Sequence, residues 1–285
     1  MTLIGGIDLE KNKVKRNQRL IYITQYLLER PNQLVSLSQF SEYFGIAKSS
    51  LSEDIQLMKE VFEEYELGYL ETIAGVSGGV LYSPRVSKYD RSELKKQMLE
   101  IMTDTQRILP GNYIQLNDIL QDPNILIEAA KVIAEFYKDK MIDAVMTIET
   151  QGVGLAAAVA RYLNVEYVVV RRDSSETTGP TISVNYVSGS HQTVKKMELP
   201  KNSLASGSKV LVVDDFMRNG GTANGLISLI NEFDCECVGT CVFAENTLKE
   251  GIELPQYQSL FKVMIVFNHE KGKFELQVET GEILS

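Results

Sequence analysis

The run Lys209-Val-Leu-Val-Val-Asp-Asp-Phe-Met-Arg-Asn-Gly-Gly-Thr222 constrains this chain more than any other segment. Uninterrupted apolar residues from Val210 to Val213 read as a strand buried on both faces, the kind found inside a parallel sheet. Two carboxylates then end the strand, and glycines open a helix. The acid pair can accept hydrogen bonds from two vicinal ribose hydroxyls, while the amides of residues 218 to 222 and the positive helix terminus hold a phosphate. Arg218 adds charge. Capping an ordinary strand-to-helix turn requires neither two acids nor Gly-Gly-Thr. The run therefore reads as a sugar-phosphate site made of Asp214, Asp215, Phe216, Met217, Arg218, Asn219, Gly220, Gly221 and Thr222.

A sheet of this kind needs alternating strands and helices, and residues 142 to 245 alternate in that way. The fold class is α/β with a mainly parallel sheet, which places ligands at the carboxyl ends of the strands. One further strand, Ala144 to Ile148, ends in Glu149-Thr150-Gln151-Gly152, and another, Tyr167 to Val170, ends in Arg171-Arg172. Residues 90–109 and 125–140 read as helices ahead of and beside this sheet. At 285 residues the chain exceeds the roughly 100–200 usual for one domain, and Ser83-Pro84-Arg85-Val86-Ser87 breaks the pattern. The expected domains are 1–83 and 84–285. No apolar run approaches the roughly 20 residues of a membrane helix, and the first twenty residues are polar and basic, unlike a signal peptide. The expectation is a cytoplasmic protein with no membrane partner.

The net charge of −9 argues against nucleic acid only until it is resolved by region. Residues 11–50 hold Lys11, Lys13, Lys15, Arg16, Arg19, Arg30 and Lys48 against Glu29 and Glu42, a local +5 on an acidic body. Screening over about 8 Å at physiological salt lets such a region contact phosphates regardless of the rest. Its pattern is specific. Gln18–Leu28 is a first helix ended by Pro31-Asn32, and a short second helix from Leu37-Ser38 closes at Gly45. Ala47-Lys-Ser-Ser leads into a third helix with the apolar face Leu51, Ile55, Met58, Val61 and Phe62. Residues 68–73 and 79–82 follow as a hairpin, completing a winged helix. In that geometry Lys48, Ser49, Ser50 and Ser52 face double-stranded DNA, with Lys13, Lys15, Arg16 and Arg19 as a basic arm. One of Ser49 and Ser50 is expected to serve as the helix N-cap.

The segment from Val210 to Thr222 resembles the phosphoribosyl pyrophosphate (PRPP) signature of type I phosphoribosyltransferases: four hydrophobic residues, two acids, then a loop ending Gly-Gly-Thr. It departs at Asn219, commonly Thr in the enzymes, which leaves phosphate affinity open. Four further strings carry a resemblance to the purine operon repressor family of Gram-positive bacteria over nearly the whole chain. They are Ala47-Lys-Ser-Ser-Leu-Ser-Glu-Asp54, Arg107-Ile-Leu-Pro-Gly111, Asn185-Tyr-Val-Ser-Gly-Ser190 and Val213-Asp-Asp-Phe-Met217. That resemblance implies a homodimer that binds control regions of purine synthesis genes, senses PRPP with or without Mg2+, requires no cofactor and lacks transferase activity. It also implies that Glu149, Thr150, Gln151 and Gly152 form a pyrophosphate loop, with Arg171 and Arg172 nearby. Tyr113 becomes a stacking surface beside the effector, an ordinary packed tyrosine being the alternative. Some relatives activate rather than repress. An active transferase with an accessory DNA-binding domain is the competing function; transfer needs a base pocket and a loop that shields the reaction from water, and neither is identified in residues 173–199.

Cys235, Cys237 and Cys241 are too few and too close for a disulfide framework, and His191 and His269 lie too far along the chain to complete a zinc site. They are expected to be free thiols on or beside a buried strand, with no metal bound.

Overall fold

A computed structural model describes residues 14–75, 78–109, 113–172, 179–188, 193–246, 254 and 257–284. The chain divides into two compact units, Met1–Ser83 and Pro84–Ser285.

The first unit contains α1 (Arg16–Leu28), α2 (Leu37–Phe44), α3 (Lys48–Glu64), β1 (Tyr69–Ile73) and β2 (Gly79–Ser83). Ser36 caps α2 by accepting from the Ser38 amide, and Gly45 ends it at φ 63°, where a side chain would be strained. Ala47 precedes α3 without a side-chain cap, so Ser49 and Ser50 lie within its first turn and neither is the N-cap. β1 and β2 pair antiparallel from Tyr69↔Ser83 to Ile73↔Gly79, and Val35 adds a bridge to Val80. This is the winged-helix arrangement. Its core joins Ile23, Leu27, Phe40, Leu51, Ile55, Met58 and Phe62 to Leu70, Val80 and Tyr82 of the hairpin. Val61, expected in that core, is 41% exposed, and Asp54 is buried in its stead.

The second unit opens with α4 (Lys88–Met102), a hairpin of β3 (Ile108–Leu109) and β4 (Tyr113–Ile114), α5 (Asn117–Gln121) and α6 (Pro123–Tyr137). There follow β5 (Ala144–Ile148), α7 (Val153–Leu163), β6 (Glu166–Val170), β7 (Thr181–Ser188) and β8 (Thr193–Pro200). The chain continues through β9 (Lys209–Met217), α8 (Gly221–Glu232), β10 (Glu236–Asn246), β11 (Tyr257–Asn268) and β12 (Lys273–Thr280). The helix expected over 90–109 stops at Met102. Thr103 donates its hydroxyl back to Leu99 O, and the Arg107 side chain donates to Ile101 O at 2.9 Å, so the last carbonyls are satisfied without another turn. The helix expected over 125–140 starts earlier, at Pro123, with Asp122 accepting from the Asn124 amide at 2.8 Å.

The main sheet has the order β12-β11-β10-β9-β5-β6, with β12 alone antiparallel to its neighbour. β9 is buried on both faces. Leu211 and Val213 join a layer with Ile133, Leu155, Val159 and Phe243, while Val210 and Val212 join Leu226, Leu229 and Ile230 of α8 on the other side. β7 and β8 form a separate antiparallel hairpin that rests on α8. The close approach is at Gly225, where a Cβ would stand 2.6 Å from the Met197 methyl and 2.8 Å from Tyr186 Cβ. Among the described residues no helix is long and apolar enough to cross a membrane.

Candidate functional site

Because β9, β5 and β6 are consecutive parallel strands, their carboxyl ends emerge along one edge of the sheet. Three of the segments singled out in the sequence meet there. A Cβ on Gly152 would fall 2.3 Å from Asp214 Oδ1 and 2.7 Å from Thr147 Oγ1, so only glycine lets the loop after β5 lie against the acid pair. Glu149 Oε1 accepts from the Arg172 amide at 2.7 Å, joining that loop to the end of β6. The Arg172 charge in turn acts on Asp214. Arg171 exchanges two backbone hydrogen bonds with Glu198 of β8, at 3.0 and 2.9 Å, which fastens the β7–β8 hairpin to the same edge. Thr150 and Gln151 are exposed beside it.

Burial, and next the neighbouring Asp215 carboxylate, hold Asp214 well above the usual carboxylate range, with Arg172 pulling the other way. Asp214 Oδ1 also accepts from the Asp215 amide at 3.0 Å. Beyond the pair, Phe216 to Asn219 lead into α8, whose N-terminus at Gly220 has no side-chain cap among the described residues. The first amides of a helix without a side-chain cap are suited to an anion. A cavity of about 160 Å³ lies here, walled by Asp214, Met217, Arg218 and Gly220 to Thr222, with Val212, Leu226 and Thr240 beneath. Acceptors for hydroxyls on one side and amides for phosphate on the other are what a ribose phosphate requires. Tyr113 opens β4, and its side chain lies outside what is described.

The winged helix carries the second candidate surface. Lys48, Ser49 and Ser52 are exposed at the start of α3 and Ser50 is half-buried; Ser52 donates its hydroxyl to Lys48 O at 3.0 Å. Lys15 is exposed, and Lys13 lies outside the described residues. Arg19 is a correction. It is 8% exposed and donates to Asp54 at 2.6 Å, inside the unit rather than on a DNA-facing arm. Arg16 reaches the same carboxylate at 2.8 Å from outside, with its side chain 56% exposed. Asp54 carries no role of its own in the sequence pattern. The signal was an acid set among the apolar positions of α3, facing two arginines three residues apart in α1.

The three cysteines carry free thiols; Cys241 is buried on β10, and burial pushes both its thiol and that of Cys237 above the ordinary thiol range. Among the described residues no group of three or more His, Cys, Asp or Glu side chains could hold a metal ion.

Residues 15–84 match the family described as "Bacterial purine repressor, N-terminal", and residues 115–273 match "Phosphoribosyl transferase domain". A purine biosynthesis transcriptional regulator of Streptococcus pneumoniae serotype 4 is 46% identical, over 95% of this chain and 98% of that protein. A purine biosynthesis transcriptional activator of Lactococcus lactis subsp. lactis is 44% identical over 88% of this chain and 92% of its own, and a purine biosynthesis transcriptional repressor of Bacillus subtilis 40% over 95% and 94%. In fold, an adenine phosphoribosyltransferase from Thermoanaerobacter pseudethanolicus superposes with a TM-score of 0.53 at 21% identity, covering 59% of this chain and 99% of that one. With both halves matched, and full-length relatives at this identity, the chain belongs to the bacterial family of purine biosynthesis transcriptional regulators.

Proposed function

We propose that this chain is a PRPP-responsive repressor of purine biosynthesis genes, cytoplasmic, which binds operator DNA as a homodimer and uses its phosphoribosyltransferase fold to sense rather than to transfer. The observation that carries the effector reading is the acid pair held between Gly152 on one side and the uncapped start of α8 on the other. In this reading Asp214 and Asp215 take the ribose hydroxyls and residues 218 to 222 the 5′-phosphate. The loop Glu149 to Gly152, with Arg171 and Arg172, takes the pyrophosphate. Any Mg2+ would arrive bound to the ligand's own phosphates, and Asp214 and Asp215 are the acids that could hold its water molecules. Asp215→Ala should weaken PRPP about tenfold to a hundredfold, since one hydrogen bond to a carboxylate is worth roughly 1.5–3 kcal/mol, and the response of DNA binding to PRPP should fall with it. Calorimetric titration of both proteins with and without operator DNA checks this, because linkage makes the two effects reciprocal. Unchanged PRPP affinity in the variant would remove the acid pair from the site.

Charge along α3 supports the DNA reading. Lys48 and three hydroxyls lie at its start, whereas Glu60, Glu63 and Glu64 against Lys59 fill its last turns, so the N-terminal end is the one that tolerates phosphates. A single winged helix reads a short site, and a symmetric dimer built on the acidic second unit supplies two. Lys48→Ala should lower operator affinity and flatten its salt dependence by about one unit of slope. A second reading, an active purine phosphoribosyltransferase with an accessory DNA-binding unit, draws on the complete run of acids and glycines from the end of β9 to the start of α8. Turnover of any common nucleobase with PRPP would decide for it.

A further inference from the structure

On α3, the buried residues Leu51, Asp54, Ile55, Met58 and Phe62 mark the side packed inward. At about 100° per residue the pole opposite them is held by Ser49, Glu53, Gln56 and Glu60. Glu53, Gln56 and Glu60 are all exposed, as is Ser49. We propose that Glu53 and Gln56 are the base-reading side chains of this chain: Gln56 recognises an adenine and Glu53 a cytosine in neighbouring base pairs of each operator half-site. The assignment rests on α3 being the helix that enters the major groove.

Spacing comes first. Ser49, Glu53 and Gln56 are separated by four and three residues, which is the spacing at which a helix entering the groove meets successive bases. Seven residues rise by about 10 Å along a helix, roughly three base-pair steps of 3.4 Å. Glu60 stands about 16 Å from Ser49, farther than the roughly 12 Å width of the groove, so its carboxylate stays clear of the bases.

Chemistry then assigns the bases. The primary amide of glutamine presents a donor and an acceptor in one plane and pairs with adenine N6 and N7; a carboxylate has only acceptors, and cytosine N4 offers it a donor. Guanine and thymine turn carbonyl oxygens toward a carboxylate there and are repelled by it. Among phosphates Glu53 therefore acts chiefly by excluding the wrong base pair, a role in which a negative charge costs affinity and adds specificity. In the protein alone Gln56 Nε2 donates to Glu60 Oε1 at 3.2 Å, an exposed bond one turn away that holds the amide along the outer pole and exchanges easily for a base edge.

The experiment selects bound duplexes from a randomised pool with full-length wild type, Gln56→Ala, Gln56→Arg, Glu53→Ala and Lys48→Ala. Affinities are then measured for the wild-type duplex and its single-base variants. All three positions are exposed, so thermal unfolding of the four variants should match wild type and report intact folding. Wild type should prefer adenine at one position per half-site, Gln56→Ala should lose about 5- to 150-fold of that discrimination with other positions unchanged, and Gln56→Arg should move the preference to guanine. Glu53→Ala should relax a neighbouring cytosine. Unaltered base preferences in the Gln56 and Glu53 variants, with Lys48→Ala still weakening binding, would overturn the assignment while leaving α3 in the groove. If Lys48→Ala, Glu53→Ala and Gln56→Ala all bind as wild type does, α3 does not touch DNA and both readings fall.

Discussion

Asp54→Ala should destabilise the winged-helix unit by about 3–5 kcal/mol, enough to unfold it, while the second unit keeps its own core. Asp54 is 1% exposed and accepts from Arg16 at 2.8 Å and Arg19 at 2.6 Å. Removing the carboxylate strands the Arg19 guanidinium in a site 8% open to water, and a buried cation without its partner costs more than the pair contributed when intact. Arg16 contributes less, because its exposed side chain can return to solvent. Amide hydrogen exchange on the full chain checks this directly. Protection of α1 and α3 should fall by two to three orders of magnitude or more, about tenfold for every 1.4 kcal/mol, and protection of β9 should not change. A double variant, Arg19→Met with Asp54→Leu, should recover most of the loss, since apolar side chains of similar volume can replace a buried ion pair. Failure of the double variant to recover would assign the role to packing shape and not to charge.

Gly152→Ala should abolish PRPP binding, by a hundredfold or more, with little effect on folding or on operator affinity. The new methyl carbon would stand 2.3 Å from Asp214 Oδ1, 2.7 Å from Thr147 Oγ1 and 3.2 Å from Asp214 Cα. Asp214 cannot give way by much, because it is in register with Val242 of β10 and β9 is paired with β5 as far as Val212. The loop after β5 must move, or the carboxylate must rotate out of its ribose-facing position. Either change costs the ligand both its acceptor and its pyrophosphate amides, and two lost hydrogen bonds of roughly 1.5–3 kcal/mol each exceed a hundredfold. Gly154→Ala is the control. The space around it is open, with Leu126 Cδ2 3.9 Å away, and alanine gains helix propensity there. Calorimetry on the two variants checks the prediction; equal PRPP affinity for both would show that the loop after β5 is not part of the site.

The local patterns were legible wherever one residue type has one physical use. Continuous burial along Val210 to Val213 and the left-handed turn at Gly45 follow from short-range rules, as does the acid-to-glycine run, although β9 continues through the acids to Met217 instead of ending at them. What stayed hidden depends on partners distant in the chain. Arg19 looked like a DNA contact because a basic residue on a polar segment is usually solvated. Only the meeting of α1 with α3 brings Asp54, thirty-five positions later, within 2.6 Å of it. Val61 fitted the helical period of α3 but falls just beyond the inward arc once Phe62 and Tyr82 fill it. The ending of α4 was obscured because Arg107 satisfies the helix carbonyls from five residues past its last turn. Around the ligand site the residues were legible and their joints were not. Nothing in Glu149 or Arg172 by itself announces the hydrogen bond between them.

Those joints close a ring. From the start of α8 the path runs down the helix to Gly225 and across to Tyr186 and Met197 of the β7–β8 hairpin. It continues along β8 to Glu198, over to Arg171, through Arg172 to Glu149, and back by Gly152 to Asp214. A closed circuit of stiff links cannot accommodate a guest at one joint alone. A displacement at any one joint is therefore shared around the whole circumference, as a hoop shares pressure from anywhere inside it.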